Sequence, residues 1–404
     1  MNGRPGLLRR IGLAMIGPVL AIIVSLIISA IVIALIGEDP LAALRVMVDL
    51  GDTPSQQTQA IVVILNRAVP LFLAGLAVSV AFRMGLFNIG VEGQYRMAAI
   101  AAAAVGAAVV LPAPLHVLLI MVVAVAVGAL WAGIVGVLKV TRGVSEVISS
   151  IMLNFIALGT ASFLLTGPLR GSGEGASIVT TKPIPESGWF PGLNGLFTAL
   201  GLAQPRTELY GFLLVAIVVG VAIAVLIKRT RFGFDLRASG LSPPAATASG
   251  VNARAMVLKT MLLSGAIAGL IGLPDLLGDT HEFGTQFTGG LGFLGIAVAL
   301  LGRNTPVGIT LAALLFAFLD RAALPLQFAD VPSSVVTIIQ GTIVLTVVIA
   351  NEVVGRFALR TAERAGSAAA APPADPGGGG GGDTSPIDGP TGHGRSDDRQ
   401  GAQA

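Results

Sequence analysis

Apolar residues along this chain come in blocks as long as a bilayer is thick, with polar residues gathered between them. A helix needs about 20 mostly apolar residues to cross the hydrocarbon core, and such blocks recur from one end to the other. Ten candidate spans result, at roughly residues 11–36, 61–82, 96–111, 115–138, 147–166, 209–227, 256–273, 288–301, 305–320 and 334–354. The first, Ile11 to Ile36, is longer than the apolar core of a signal peptide, about 7–15 residues. With Arg4, Arg9 and Arg10 ahead of it, this block reads as a retained helix that starts in the cytoplasm.

Alternation from that start puts the basic turns Lys139–Arg142, Lys228–Arg237, Arg303 and Arg356–Arg364 inside. It puts Gly37 to Ala60, with Glu38, Asp39, Asp49 and Asp52 against Arg45, outside. Both assignments follow the positive-inside bias, and an even number of spans leaves both termini cytoplasmic. Residues 167–208 form the longest external connection, rich in Gly and Pro and carrying Trp189-Phe190. From about 365 the chain turns to Ala, Pro, Gly and Asp, including Gly377–Gly382, which bury no apolar face. A transmembrane domain over 1–364 followed by a disordered cytoplasmic tail over 365–404 is expected.

Three blocks, 96–111, 288–301 and 305–320, are short or interrupted, a pointer to a transport pathway when they recur in matching places of two halves. Leu86-Phe87-Asn88-Ile89-Gly90-Val91-Glu92-Gly93-Gln94 precedes one, and Phe287-Thr288-Gly289-Gly290-Leu291-Gly292-Phe293-Leu294-Gly295 opens another. The first follows an out-to-in span and the second an in-to-out span. The fold expected is therefore all-α: a polytopic transmembrane bundle of about ten spans, with two Gly-rich broken-helix regions related as an inverted repeat.

Composition supports the membrane reading. Hydrophobic residues make up 54% of the 404 and charged ones 12%, against about 25% charged in soluble domains; mean hydropathy is +0.85. The 53 glycines suit close helix contact in lipid. There is no cysteine, which excludes disulfides, zinc thiolates and thiol catalysis. A net charge of +3 is explained by where the basic residues sit, so the lipid bilayer rather than nucleic acid is the expected surface partner.

The loop 228–255 carries Lys228, Arg229, Arg231, Arg237 and Arg254 against Asp235. Within it, Ser242 to Gly250 reads as one short helix: Ser242 caps, Pro243 suits the first position and Gly250 the left-handed stop. The segment is either a rigid knob for a soluble partner or an ordinary basic loop at lipid headgroups.

Gly85-Leu86-Phe87-Asn88-Ile89-Gly90-Val91-Glu92-Gly93-Gln94 resembles the signature of permeases of the nucleoside and simple-sugar ATP-binding cassette importers. Glu146-Val147-Ile148-Ser149-Ser150-Ile151-Met152-Leu153-Asn154 matches next, and then Leu236-Arg237-Ala238-Ser239-Gly240 with Leu263-Ser264-Gly265-Ala266-Ile267-Ala268-Gly269. Gly295-Ile296-Ala297-Val298-Ala299-Leu300-Leu301-Gly302-Arg303-Asn304-Thr305-Pro306 completes the set, which covers roughly 60–355. The first two segments point to the nucleoside branch. The resemblance implies a bacterial plasma-membrane permease that pairs with a second permease, identical or homologous, on cytoplasmic ABC ATPases. An extracellular substrate-binding lipoprotein delivers the solute. It also implies that the loop after the sixth span carries a coupling helix, with Arg237, Ala238, Gly240, Ser242, Ala245, Ala246 and Gly250 at the ATPase; the double Pro243-Pro244 departs from the usual pattern. No Gly-Lys pair occurs in the chain, so no phosphate-cradling P-loop is present. ATP and Mg are expected on the partner, with no cofactor and no catalytic residue here.

Glu92 has two readings: a polar group on the solute path with Asn88 and Gln94, or a structural group paired with Arg83 or Arg96 or accepting amide bonds at the broken helix. An ionised carboxylate in the membrane costs at least about 2.5 kcal/mol. Asn154 either offers donor and acceptor to the solute or makes a buried inter-helix bond, and Glu146 suits a helix N-terminus. Phe287 and Phe293, with Phe283, either stack on a nucleobase or pack in the bundle. His281 and His116 have no partner at ligand spacing, so no metal is expected. Nucleosides are the favoured solute and simple sugars the alternative; an ion-coupled secondary transporter using Glu92 and Asp320 is a more distant one.

Overall fold

The computed structural model describes residues 23–349 apart from 25, 172, 174, 175, 329, 330, 333, 347 and 348. The Arg4–Arg10 cluster, the end of the tenth block, Arg356–Arg364 and the tail over 365–404 lie outside the described residues. Among the described residues the fold is all-α, with two isolated bridges, Arg170 to Thr181 and Thr180 to Gly284.

The chain starts with α1 (Leu26–Ile36), bent by 120° into α2 (Pro40–Val48). Next come α3 (Pro54–Phe82), α4 (Val91–Ala108), α5 (Ala113–Arg142), α6 (Glu146–Thr166), the short α7 (Gly195–Ala199) and α8 (Phe212–Arg229). After α9 (Arg231–Leu241) and α10 (Pro243–Ala248), α11 (Ala253–Gly269) runs on through α12 (Leu273–Asp275) and a π-turn to Thr280. The last elements are α13 (Leu291–Leu301), α14 (Pro306–Phe328) and α15 (Ser334–Thr346). Each of the ten apolar blocks holds a helix, but among the described residues six helices are long and apolar enough to cross alone, seven if the bent α1–α2 pair is one span. Of the ten expected spans these account for seven at most; α4 and α13 are of lesser length or apolarity, and the first and tenth blocks run on beyond the described residues.

Local sequence sets the boundaries. The segment expected as an acidic loop instead begins α3 at Pro54. There Thr53 and Gln56 form a capping box, Gln56 N donating to Thr53 Oγ1 at 3.3 Å and Thr53 N to Gln56 Oε1 at 3.0 Å. α4 begins at Val91 rather than near 96, so Glu92 to Arg96 form its first turns. The block 305–320, expected to be short, is the 23-residue α14. Its polar residues are compensated: Arg67 Nε donates to Asp320 Oδ2 at 2.6 Å and Arg321 to the Asp49 carbonyl at 2.6 Å. α5 stops at Gly143, which takes φ +68°.

Helix α3 lies at the centre, flanked by α11, α13 and α14, while α4 is buried against α5, α6 and α11, and α5 packs along both α4 and α11. In lipid, helices associate through close van der Waals contact between small residues, and the α5–α11 crossing shows this at its limit. A Cβ on Gly128 would land on the Gly265 carbonyl oxygen, one on Gly265 on that of Gly128, and one on Gly269 on that of Ala124. The two backbones touch, and no side chain fits between them.

The bundle has a basic and an acidic end. At the basic end Arg83 donates to the Asn304 carbonyl, Arg237 to the Ile227 carbonyl, and Lys139 Nζ pairs with Glu146 at 2.5 Å. At the other end residues 176–210 are tied down on the helix ends. Asn66 donates to the Glu208 carbonyl at 2.7 Å and accepts from Tyr210 N at 2.9 Å; Ile184 N donates to the His281 carbonyl at 2.8 Å.

Candidate functional site

The two Gly-rich breaks, nearly 200 residues apart in sequence, meet inside the bundle. Helix α4 starts from the basic side and α13 from the acidic side, and their first turns lie against one another at Glu92. The Glu92 carboxylate accepts from Gly290 N at 2.9 Å, Gly292 N at 3.0 Å, the Tyr95 hydroxyl at 3.1 Å and Arg96 Nε at 2.8 Å. It thus satisfies free amides at the start of α13 while sitting in the first turn of α4, where a negative group is favoured by both helix dipoles. Gly292 permits the approach, since a Cβ there would fall on the backbone nitrogen of Glu92. Of the two arginines weighed from sequence, Arg96 is the partner, and Arg83 goes to Asn304 instead.

The other polar residues of the first break form a second closed set. Asn88 and Gln94 are both fully buried and pair through two bonds, Asn88 Nδ2 to Gln94 Oε1 at 3.1 Å and Gln94 Nε2 to Asn88 Oδ1 at 2.9 Å. Asn88 Nδ2 also donates to Ser264 Oγ at 2.9 Å, and that hydroxyl donates to the Ala77 carbonyl at 2.7 Å. Asn154 on α6 holds the break from the side: its Oδ1 accepts from Gly93 N at 2.9 Å and its Nδ2 donates to the Ile89 carbonyl at 3.0 Å. Glu146 opens α6 and accepts from Lys139 and from Phe87 N, as a helix-start role requires. The polar signature Asn88, Glu92, Gln94 and Asn154 is therefore bonded to itself, to backbone and to the side chains of Ser264, Tyr95 and Arg96.

The phenylalanines separate. Phe287 is buried, its ring 4.7 Å from that of Phe283 and against Gly272, whereas Phe293 is half exposed on α13.

Beyond this contact, toward the acidic end, a cavity of about 380 Å³ opens, bordered by Arg67, Asp275, Asp279 and Thr288 among others. None of these four was singled out from the sequence. Arg67, a lone base inside an apolar block, and Asp275 after Pro274 were the available signals. Asp320, on the far side of Arg67, also accepts from Gln340 Nε2 at 2.6 Å. Burial and the carboxylates of Asp279 and Asp275 push the Tyr210 phenol well up from its usual range.

Nearby, His281 adopts φ +54° and stacks on Trp189, ring centroids 3.8 Å apart and planes 8° from parallel. Burial pushes the His281 imidazole below its usual value, with Asp279 opposing. The folded state thus disfavours the proton: stability is complete above the ordinary His value of about 6.5 and is lost as pH falls from there toward the lowered folded value. An imidazolium quenches a stacked indole, so in a Trp131→Phe background Trp189 emission is expected to titrate with a midpoint below about 6.5. A midpoint above that value would contradict the stacked geometry.

At the basic end the knob has the form read from the sequence. Ser242 Oγ accepts from Ala245 N at 3.4 Å, the two prolines occupy the first turn, and Gly250 takes φ +84°. Ala245 is exposed, but Ala246 is 3% exposed and faces inward. Just before the knob, Gly240 lies on the backbone of Arg83 and Met84, where a Cβ would collide with the Arg83 carbonyl. Backbone contact therefore links the knob to the residues that lead into the first break.

Comparison with known proteins matches residues 60–348 to the family described as branched-chain amino acid transport system / permease component. The chain is 36% identical over 329 residues to the glucose ABC transporter permease protein TsgB13 of Haloferax volcanii, covering 81% of this chain and 85% of that protein. It is 39% identical over 307 residues to the guanosine ABC transporter permease protein NupP of Bacillus subtilis, covering 75% and 84%. It is 29% identical over 340 residues to the nucleoside ABC transporter permease protein NupB of Lactococcus lactis, covering 82% and 90%. With its apolar helices and a match over most of its length, the chain belongs to this family of membrane-embedded transporter permease components.

Proposed function

We propose that this chain is the pore subunit of an ATP-driven importer of nucleosides in a bacterial plasma membrane, with both termini cytoplasmic. The observation that carries the reading is the unbroken line of contact from knob to pore: Gly240 on Arg83-Met84, the break 85–94, then Glu92 on α13. In this reading the basic end faces the cytoplasm, where paired ATPases grip Ser242–Gly250 with Arg237, Ala238 and Gly240 beneath. A rigid-body push on the knob reaches the break through backbone rather than through flexible side chains. An external binding lipoprotein docks at the acidic end, and a second permease, identical or homologous, completes the pore. The α3–break–α4 and α11–break–α13 units run in opposite directions and meet at their breaks, which supports an inverted repeat rocking about Glu92.

Asn88, Gln94, Glu92 and Asn154 act in this scheme by holding the breaks in the arrangement their bonds define. Phe293 is the ring free to meet a nucleobase, Phe287 being packed. Nucleosides are favoured by the two nucleoside-type signature segments and by the guanosine and nucleoside relatives. Simple sugars stand second on the strength of the glucose relative.

Two measurements test the scheme. Uptake of labelled adenosine or guanosine by cells expressing the complete transporter should vanish when this chain is deleted; competition by excess glucose or ribose but not by nucleosides would reassign the solute. Ala245→Asp, on the exposed face of α10, is expected to abolish uptake while the folded permease remains. Normal uptake in that variant would remove the coupling role. Ala246→Asp is not an equivalent test, because it would bury an unpaired carboxylate under the knob.

A further inference from the structure

The cavity at the acidic end is bordered by Arg67 of α3, Asp275, Asp279 and Glu282 around the π-turn, and Phe287 and Thr288 from the second break. At about 380 Å³ it falls in the range of small-molecule pockets, about 300–1,000 Å³. Its chemistry narrows the occupant. Three carboxylates against one guanidinium disfavour an anion. Among the described residues no group of three or more His, Cys, Asp or Glu is placed to hold a metal ion. What remains favoured is a neutral ligand rich in hydroxyls. Each hydroxyl donates to a carboxylate and accepts from a guanidinium, and bonds to charged groups are the strong ones.

The groups are pre-set for that task. Arg67 is oriented by its Nε bond to Asp320 at 2.6 Å, leaving the rest of a five-donor fork. Asp275 Oδ2 accepts from Thr288 Oγ1 at 3.4 Å, and Asp279 stands at the exposed rim. The Tyr95 hydroxyl shares its single proton between the Thr288 carbonyl at 2.7 Å and the Glu92 carboxylate at 3.1 Å. One wall of the cavity is thus bonded directly to the place where α4 and α13 meet.

We propose that this cavity is a low-affinity entry site for the vicinal hydroxyls of the transported solute's sugar ring, with Asp279 and Asp275 accepting from them and Arg67 donating to them. The proposal rests on the import reading above. A ligand drawn in here pulls on Thr288 and, through Tyr95, on the contact between the breaks, so occupancy and rocking share one set of bonds.

The test compares adenosine with 2′,3′-dideoxyadenosine, which lacks both hydroxyls, in vesicles holding the complete transporter and saturating binding protein. Wild type is expected to move adenosine faster. Asp279→Ala is expected to cut adenosine transport about tenfold, the scale of one hydrogen bond to a charged group, and to leave the dideoxy compound unchanged. Asp279→Asn, which keeps the shape and one acceptor, should fall between, and both variants should match wild type by size-exclusion profile because Asp279 is exposed. Equal loss for both solutes, or no loss for either, would overturn the site while leaving nucleoside import standing. If wild type transports no nucleoside at all, the import reading fails first and takes the site with it.

Discussion

Glu92→Leu is expected to yield no stable bundle. The change strips acceptors from two backbone amides at once and leaves the partly buried Arg96 guanidinium without its carboxylate, while the Tyr95 hydroxyl keeps the Thr288 carbonyl. Breaking a buried pair by removing one partner costs about 3–5 kcal/mol, and each orphaned buried donor adds about 1–3 kcal/mol. That sum approaches the whole stability of a typical domain, about 5–15 kcal/mol. Glu92→Gln keeps one acceptor oxygen but turns an amide NH₂ toward a donor, so an intermediate loss is expected. Melting in detergent, followed by light scattering or by the size-exclusion peak, reads both. A residue that only touched solute would behave in the opposite way, with Glu92→Leu leaving the melting temperature intact and lowering uptake alone.

Gly265→Val should be nearly as damaging, for a different reason. The α5–α11 crossing brings backbone against backbone at Gly128, Gly265 and Gly269, and carbonyl groups in helices cannot rotate aside as a side chain can. Overpacking a core costs about 1–3 kcal/mol and occasionally more; here the helices must part along their length, so the upper end or beyond is expected. Gly159 in α6 supplies the control, because a Cβ there meets nothing within 4 Å. Gly159→Ala should melt with wild type, or slightly above it through better helix propensity. If Gly265→Val and Gly159→Ala melted alike, the close crossing would not be what holds these helices together.

The sequence carried the helices more reliably than their ends. Apolar blocks located a helix in every expected place because the bilayer requirement is a property of composition. Boundaries moved where a distant partner neutralised polar residues. Glu92 to Arg96 entered α4 because Gly290 and Gly292 wait for the carboxylate, and α14 ran past Asp320 because Arg67 pairs with it. Neither pairing is visible in a local window. The short helix of the knob was legible, since a capping Ser, Pro at the first positions and a left-handed Gly are all local signals. Its inward side was not: that Ala246 is buried and Ala245 exposed depends on what the knob leans on. For the signature polar groups, the bonds of Glu92 to Arg96 and to backbone amides were among the readings the sequence offered, but the pairing of Asn88 with Gln94 was not. The acidic-end cavity escaped because Arg67, Asp275 and Thr288 come from three separate stretches that only the tertiary structure assembles.

The bonds from Gly290 and Gly292 to Glu92 span 198 and 200 residues of chain, which has a bearing on biosynthesis. At a ribosome's pace of about 5–20 residues per second, Glu92 emerges roughly 10–40 s before its amide partners exist. Throughout that interval the young α4, too polar to be held by lipid on its own, has Arg96 one turn away as the nearest neutraliser. Its final seating must therefore wait until α13 has left the translation machinery, so synthesis that stops before residue 290 leaves this helix without its anchor.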